Sequence, residues 1–382
     1  MAKRPTAASR FLYKNLAECI HPPEEIKELE YELFEPYLVE DVNIDKDTIV
    51  KLDNLTIRYE TTTGRVKASE YVSFDLKRGE ILGLVGESGC GKTTTAYGIL
   101  RLLPPEGKYR SGRVIFNLGA RYGEVYPIDL TKIPEHLLRY LRRKRMSIVF
   151  QGAMNAFNPV MTVGDQIVEA IMVHCPGISE EEARKRVEEL FKLVGLDPER
   201  AKNYPHEYSG GMKQRAMIAM ALALDPDLVI ADEPTTALDV TIQAQILELM
   251  KRLIREGKIN SMIMITHDLA VVAEVVDTVA VMYAGRMVEK ADVFTIFKKP
   301  LHPYTYLLMK SIPSAKARFA GEKLKSIPGA PPSLLNPPRG CRFHPRCPYA
   351  QHVCSTKEPE RKEIEPGHRV ACHFAGRITR RD

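Results

Sequence analysis

Apolar positions along the chain change their period several times, and each change marks an element. Residues 49–59 and 71–76 are rich in β-branched and aromatic side chains, with a turn-like stretch at 61–64 between them, which predicts an antiparallel pair of strands. Four short apolar runs follow, at 81–85, 146–150, 228–231 and 262–265, each ending in a polar loop. Helical patterns separate them, and that alternation predicts a parallel, doubly wound sheet. Between the second and third runs Ser179 and Glu182 stand at capping-box spacing. Ala183, Val187, Leu190, Phe191 and Val194 then share one helix face that stops at Gly195, predicting an inserted helical subdomain at about 152–215.

The two flanks differ from this core. From Glu18 to Asp47 there are eleven Asp or Glu against two Lys, behind a basic tip. Pro23, Glu24 and Glu25 suit a helix start, and the spacing predicts Ile26, Leu29, Leu33 and Phe34 on its apolar face, bracing the chain's own core or meeting a partner. After about residue 290, prolines such as Pro300, Pro313, Pro328, Pro331 and Pro337 punctuate a connector that runs to a cysteine cluster. The expected organisation is an extension at 1–47, a main domain at 48–290 and a small cysteine-rich C-terminal domain at 291–382.

Composition narrows the class. A chain of 382 residues exceeds one ordinary domain, and 44% hydrophobic with 27% charged residues is a globular balance. The longest apolar candidate, 216–224, ends at Asp225 and Pro226, well short of a membrane span. Lys3 and Arg4 have no apolar run behind them, so no secretory signal is read and a cytoplasmic location is expected. A net charge of +6 is too mild to require nucleic acid as partner. The run Arg142-Arg143-Lys144-Arg145 reads as a solvated face.

The chemistry begins at Gly86-Glu87-Ser88-Gly89-Cys90-Gly91-Lys92-Thr93-Thr94, which fits G-x-x-x-x-G-K-[ST] and directly follows the run 81–85. Glycines let the backbone curl its N–H groups onto phosphate oxygens, and a helix starting near Lys92 adds its positive end. Lys92 supplies a point charge for the β and γ phosphates, and Thr93 a hydroxyl ligand for Mg²⁺. Cys90 reads as a small loop residue rather than a redox group. Asp232 and Glu233 end the third core run, suited to holding the metal and polarising the attacking water respectively. Gln151 and His267 end the second and fourth runs. Ligands of open parallel sheets bind at the carboxyl ends of strands, so Gly86, Gln151, Asp232 and His267 are expected to converge.

Tyr208-Ser209-Gly210-Gly211-Met212-Lys213-Gln214-Arg215 resembles the signature motif of ATP-binding cassette (ABC) proteins, with Tyr where Leu is frequent. The glycine loop, Gln151, Asp232 with Glu233, Ala237-Leu238-Asp239 and His267 complete that family's motifs in order. The resemblance implies a RecA-like P-loop α/β core with an antiparallel β subdomain and the helical insertion. It also implies that Tyr59 stacks on adenine, that Glu233 is the general base, and that His267 contacts the γ-phosphate. Gln151 would sense Mg²⁺ and the lytic water, Ser209, Gly210 and Gly211 would meet ATP held by another subunit, and Asp239 of the D-loop would be nucleotide-binding. A Ser-Gly-Gly helix start is a second anion-binding end, and the chain has one glycine loop, so a second cassette subunit is expected. Gln151 to Pro159 and His302-Pro303-Tyr304-Thr305 resemble the oligopeptide and dipeptide importer branch. That implies two membrane permeases, an extracellular substrate-binding protein, a heterodimer of non-identical cassettes, and a place on the cytoplasmic face of the membrane.

Cys341, Cys347, Cys354 and Cys372 are separated by five, six and seventeen residues, without the tight pairs frequent in zinc sites. Zinc, an iron–sulfur cluster and disulfides all stay open from spacing. The importer resemblance implies a [4Fe-4S] cluster, as a structural staple or a redox sensor. The rival class is a soluble cassette ATPase acting on ribosomes or DNA; a single cassette without long heptad arms speaks against it.

Overall fold

A computed structural model describes residues 13–152, 156–236, 238–311 and 327–376. Its strands in chain order are β1 (Thr48–Thr61), β2 (Gly64–Lys77), β3 (Ile81–Val85), β4 (Gly107–Asn117), β5 (Pro127–Asp129), β6 (Met146–Val149), β7 (Leu228–Asp232), β8 (Met262–Ile265), β9 (Thr278–Tyr283), β10 (Arg286–Asp292), β11 (Lys362–Glu365) and β12 (His368–Val370). The chain divides into two compact units: one of residues 1–51, 75–79 and 115–263, the other of 52–74, 80–114 and 264–382.

In the second unit β3 and β9 are parallel, with Leu82 opposite Thr278 and Val85 opposite Val281. Both strands are almost wholly buried, which is why they read as unbroken apolar runs. β9 turns back into β10 at Ala284 and Gly285, both with positive φ (46° and 80°), the backbone that a two-residue hairpin requires. β12 adds antiparallel to β10, and β11 to β12. β9, β10, β11 and β12 thus share a unit and a sheet with β3, the strand that leads into the glycine loop. The expected separate cysteine-rich C-terminal domain is not supported.

In the first unit β6 and β7 are parallel, from Met146 opposite Leu228 to Val149 opposite Ala231. The helical insertion contains helices Val163–His174, Glu180–Val194 and Gly210–Ala221. The Ser179–Glu182 capping box forms as expected, and Gly195 closes the helix at φ 74°.

Two expectations for this unit are corrected, the first only in part, since Phe34 is buried as expected. Helix Glu24–Phe34 buries Lys27, Glu30 and Phe34, while Leu29 is half exposed. Charge pairing sets this face: Lys27 Nζ donates to Glu124 at 2.7 Å, and Glu30 accepts from Arg145 at 2.8 Å. The basic run is not solvated either, because Lys144 and Arg145 are completely buried. Arg145 donates from Nε to Asp227 at 2.5 Å and from Nη2 to the Leu118 carbonyl at 2.5 Å. Asp227 also accepts from Arg121 at 2.7 Å. A buried guanidinium needs its charge and donors matched, and these partners match them. A Cys19–Cys175 disulfide, closing 156 residues of chain, adds a covalent tie between the N-terminal extension and the helical insertion. No local spacing in the sequence announces this pairing, because its partners stand 156 residues apart.

Candidate functional site: the phosphate loop and the carboxylate strand

In the second unit the loop leaves β3 at Gly86 and enters helix Lys92–Leu100. Gly86, Gly89 and Gly91 have φ of 147°, 74° and 103°, conformations that L side chains rarely adopt. Space forbids a side chain at two of them: a Cβ on Gly86 would lie 2.2 Å from the Met282 carbonyl oxygen, and one on Gly91 2.0 Å from that of Ala68. Lys92 is buried, and its Nζ donates to the carbonyls of Gly86 (2.8 Å) and Glu87 (3.1 Å), closing the loop on itself. Cys90 is buried and its thiol is pushed up by that burial, consistent with an inert loop residue. Tyr59 on β1 is brought to the loop, its hydroxyl 3.2 Å from Thr94 Oγ1. Thr93 is half-buried in the first helical turn, and Ser88 is exposed. His267 follows β8 and is exposed, next to Asp268, which caps helix Leu269–Val275.

In the first unit β7 delivers Asp232, fully buried, and then Glu233 at φ 46°. Gln151 Nε2 donates to Glu233 Oε2 at 2.9 Å, and Thr236 Oγ1 donates to the same oxygen at 2.9 Å. The structure therefore joins two residues read from sequence as catalytic and adds Thr236, whose signal was its position three residues after Glu233. Ser209 caps helix Gly210–Ala221 by accepting the Met212 N–H, and stays exposed. Gly211 packs against Ile242, 2.7 Å from where its Cβ would lie. Asp239 caps helix Val240–Arg255 by accepting the Ile242 N–H at 3.0 Å. Ala237 and residues 153–155 lie outside the described residues.

All four tail cysteines line one cavity in the second unit, with His302, Phe343 and His344. None forms a disulfide. Burial first, and then the neighbouring sulfurs, push Cys341 to about 11 and Cys347 to about 11. The donor chemistry suits a metal, but the cavity is only about 20 Å³. Among the described residues no group of three or more His, Cys, Asp or Glu forms a metal site. The expected [4Fe-4S] cluster is not supported by this geometry. The His302-Pro303-Tyr304 segment is held by Glu289, which is completely buried and accepts from the N–H groups of Leu301 (2.7 Å) and His302 (3.0 Å). It also lies 2.7 Å from His368 Nε2.

A glycine loop running into a helix, a strand-end carboxylate pair with its glutamine, and a Ser-Gly-Gly helix start define the class: a P-loop ATP-binding cassette. Residues 69–236 match the family described as ABC transporter, and residues 288–354 the one described as oligopeptide/dipeptide transporter, C-terminal region. The chain is 48% identical to the probable peptide ABC transporter ATP-binding protein y4tR of Sinorhizobium fredii, covering 88% of this chain and 98% of that protein. It is 46% identical to the dipeptide transport ATP-binding protein DppD of Bacillus subtilis (85% and 94% covered) and 44% identical to the oligopeptide transport ATP-binding protein OppD of Escherichia coli (85% and 93%). A solved dimer of an ATP-binding cassette with ADP and phosphate superposes at TM-score 0.56, 29% identical over 64% of this chain and 99% of that one. The chain belongs to the ATP-binding subunits of the oligopeptide/dipeptide ABC transporters.

Proposed function

We propose that this chain hydrolyses ATP to power uptake of oligopeptides or dipeptides through a membrane permease complex. The observation that carries the ATP half is the phosphate loop, where two glycines are required by carbonyls about 2 Å from any Cβ. In this reading Tyr59 stacks on adenine and the N–H groups from Glu87 to Thr94 bind phosphates, with Lys92 on the β and γ groups. Thr93, Gln151 and Asp232 are the residues that would hold Mg²⁺, which when bound neutralises phosphate charge. Glu233 takes a proton from the attacking water, oriented by Gln151 and Thr236, and His267 donates towards the γ-phosphate.

Ser209, Gly210 and Gly211 start an exposed helix end and would close, with Asp239, over ATP on a second cassette subunit, here taken as non-identical. Two permeases and an extracellular substrate-binding protein complete the complex, and no nucleic acid takes part. The chain would sit peripherally on the cytoplasmic face of the membrane, as the importer family implies; among the described residues no helix is long and apolar enough to cross a membrane. The four cysteines remain a proposed [4Fe-4S] ligand set on donor chemistry alone, tested by iron and acid-labile sulfide analysis of the purified chain. The transport reading is tested by reconstituting the chain with its membrane subunits and binding protein in vesicles. ATP-dependent peptide accumulation is expected, and its loss without this chain; accumulation that persists without it would contradict the reading.

A further inference from the structure

Glu87, second residue of the phosphate loop, is gripped by two residues of the C-terminal region. Its N–H donates to the Tyr304 phenol oxygen at 2.9 Å. Its carboxylate accepts both arms of Arg346: Nη1 to Oε2 at 2.7 Å and Nη2 to Oε1 at 2.9 Å. The Arg346 side chain is 6% exposed and that of Glu87 23%, so the pair is largely dry. Arg346 is itself pinned, with Nε donating to the Pro328 carbonyl at 2.8 Å and the guanidinium over the Tyr283 ring at 5.8 Å. The hydrogen bonds to Glu87 raise the Arg346 proton affinity, against the opposing effect of burial. A bidentate, partly dry Arg–carboxylate pair is among the strongest and most directional polar contacts a protein makes. Tyr304 is equally fixed, completely buried, with its ring tilted against Tyr283 and edge-on to Phe343 at centroid distances of 4.6 and 5.3 Å.

Lys92 donates to the carbonyls of Gly86 and Glu87, so the peptide planes on either side of Glu87 decide where the Lys92 ammonium and the inward N–H groups lie. Holding Glu87 by both its N–H and its carboxylate fixes those planes before nucleotide arrives. An ordered loop loses less conformational entropy on binding and binds more tightly. We infer that Arg346 is a positioning residue for ATP binding, presetting the phosphate loop through Glu87. Arg346 immediately precedes Cys347 in the chain, so the turn that lines the cysteine cavity is also the turn that steadies the loop. The inference deepens the ATP reading above and rests on it.

The test is Mg-ATP affinity by calorimetry on the full chain, with steady-state KM and kcat beside it. Arg346→Ala is expected to weaken Mg-ATP binding about 10- to 100-fold and to raise KM, with kcat at saturating ATP within about twofold of the parent. Arg346→Lys should recover only part of this, since an ammonium cannot reproduce the fork. Glu87→Gln should match Arg346→Ala, and the double variant should be no weaker than either single one. Cys347→Ala should move affinity in the same direction. Affinity within twofold of the parent in Arg346→Ala, or a loss in kcat with KM unchanged, overturns the inference; Glu87→Gln decides it if Arg346→Ala does not fold. Unchanged affinity in Cys347→Ala overturns the link to the cysteine turn. Lys92→Ala separates the two readings. If the parent chain does not bind Mg-ATP the ATP assignment itself fails; if the parent binds, Lys92→Ala does not, and the Arg346 variants equal the parent, only this inference fails.

Discussion

Replacing Glu30 with Gln removes one charge from the most deeply buried ionic cluster described, at nearly constant shape. Arg145 is 0% exposed and Glu30 1%, joined at 2.8 Å across 115 residues of sequence. Breaking one partner of a buried pair costs about 3–5 kcal/mol, because the remaining charge keeps its desolvation penalty. Asp227 still faces Arg145 at 2.5 Å, which places the expected loss at the lower end, about 3 kcal/mol. At about 2–4 °C per kcal/mol for a unit of this size, Tm should fall by roughly 6–12 °C. Urea unfolding of the full chain, with Glu28→Gln on the exposed side of the same helix as control, measures it. The control should stay within about 0.5 kcal/mol of the parent. If Glu30→Gln were equally silent, the extension would not be braced by this pair and the account of its buried polar face would be wrong.

Three further perturbations test other parts of the fold. Lys144 is held down to about 7, by burial first and then by Arg145 and Arg121, against the raising effect of Glu30. Its folded value lies below its unfolded one, so the folded state binds fewer protons between about pH 7 and 10 and stability should rise with pH there, by up to about 1.4 kcal/mol per pH unit. Lys144→Met should flatten that slope in urea melts; a slope left intact would contradict it. Reducing the Cys19–Cys175 bond with dithiothreitol should cost about 2–4 kcal/mol of stability, and the Cys19→Ser/Cys175→Ser variant should be insensitive to reductant. Gly91→Ala forces a Cβ into the Ala68 carbonyl at φ 103° and should weaken Mg-ATP binding at least about tenfold, read by calorimetry.

What was legible in the sequence is what short-range chemistry dictates. The strands at 81–85 and 262–265 emerge with the expected limits because buried parallel strands are continuous apolar runs, and the Ser179–Glu182 cap because its partners lie three residues apart. The glycine loop and Glu233 were visible for the same reason. The buried faces of Lys27, Glu30 and Arg145 were not, since each charge is matched by a partner far along the chain. The β9–β10 hairpin was missed because its positive-φ turn is Ala284-Gly285, lacking the Asn or Asp that usually announces one. Arg346 carried no local signal at all, standing 259 residues from Glu87.

Glu233 is held by Gln151 and Thr236, and its proposed role is to take the proton from the attacking water. Steady-state ATP hydrolysis by Glu233→Gln in the assembled complex tests it most directly. The account predicts turnover about 10²- to 10⁴-fold below the parent, with Mg-ATP affinity within about threefold. Hydrolysis at the parent rate would contradict it.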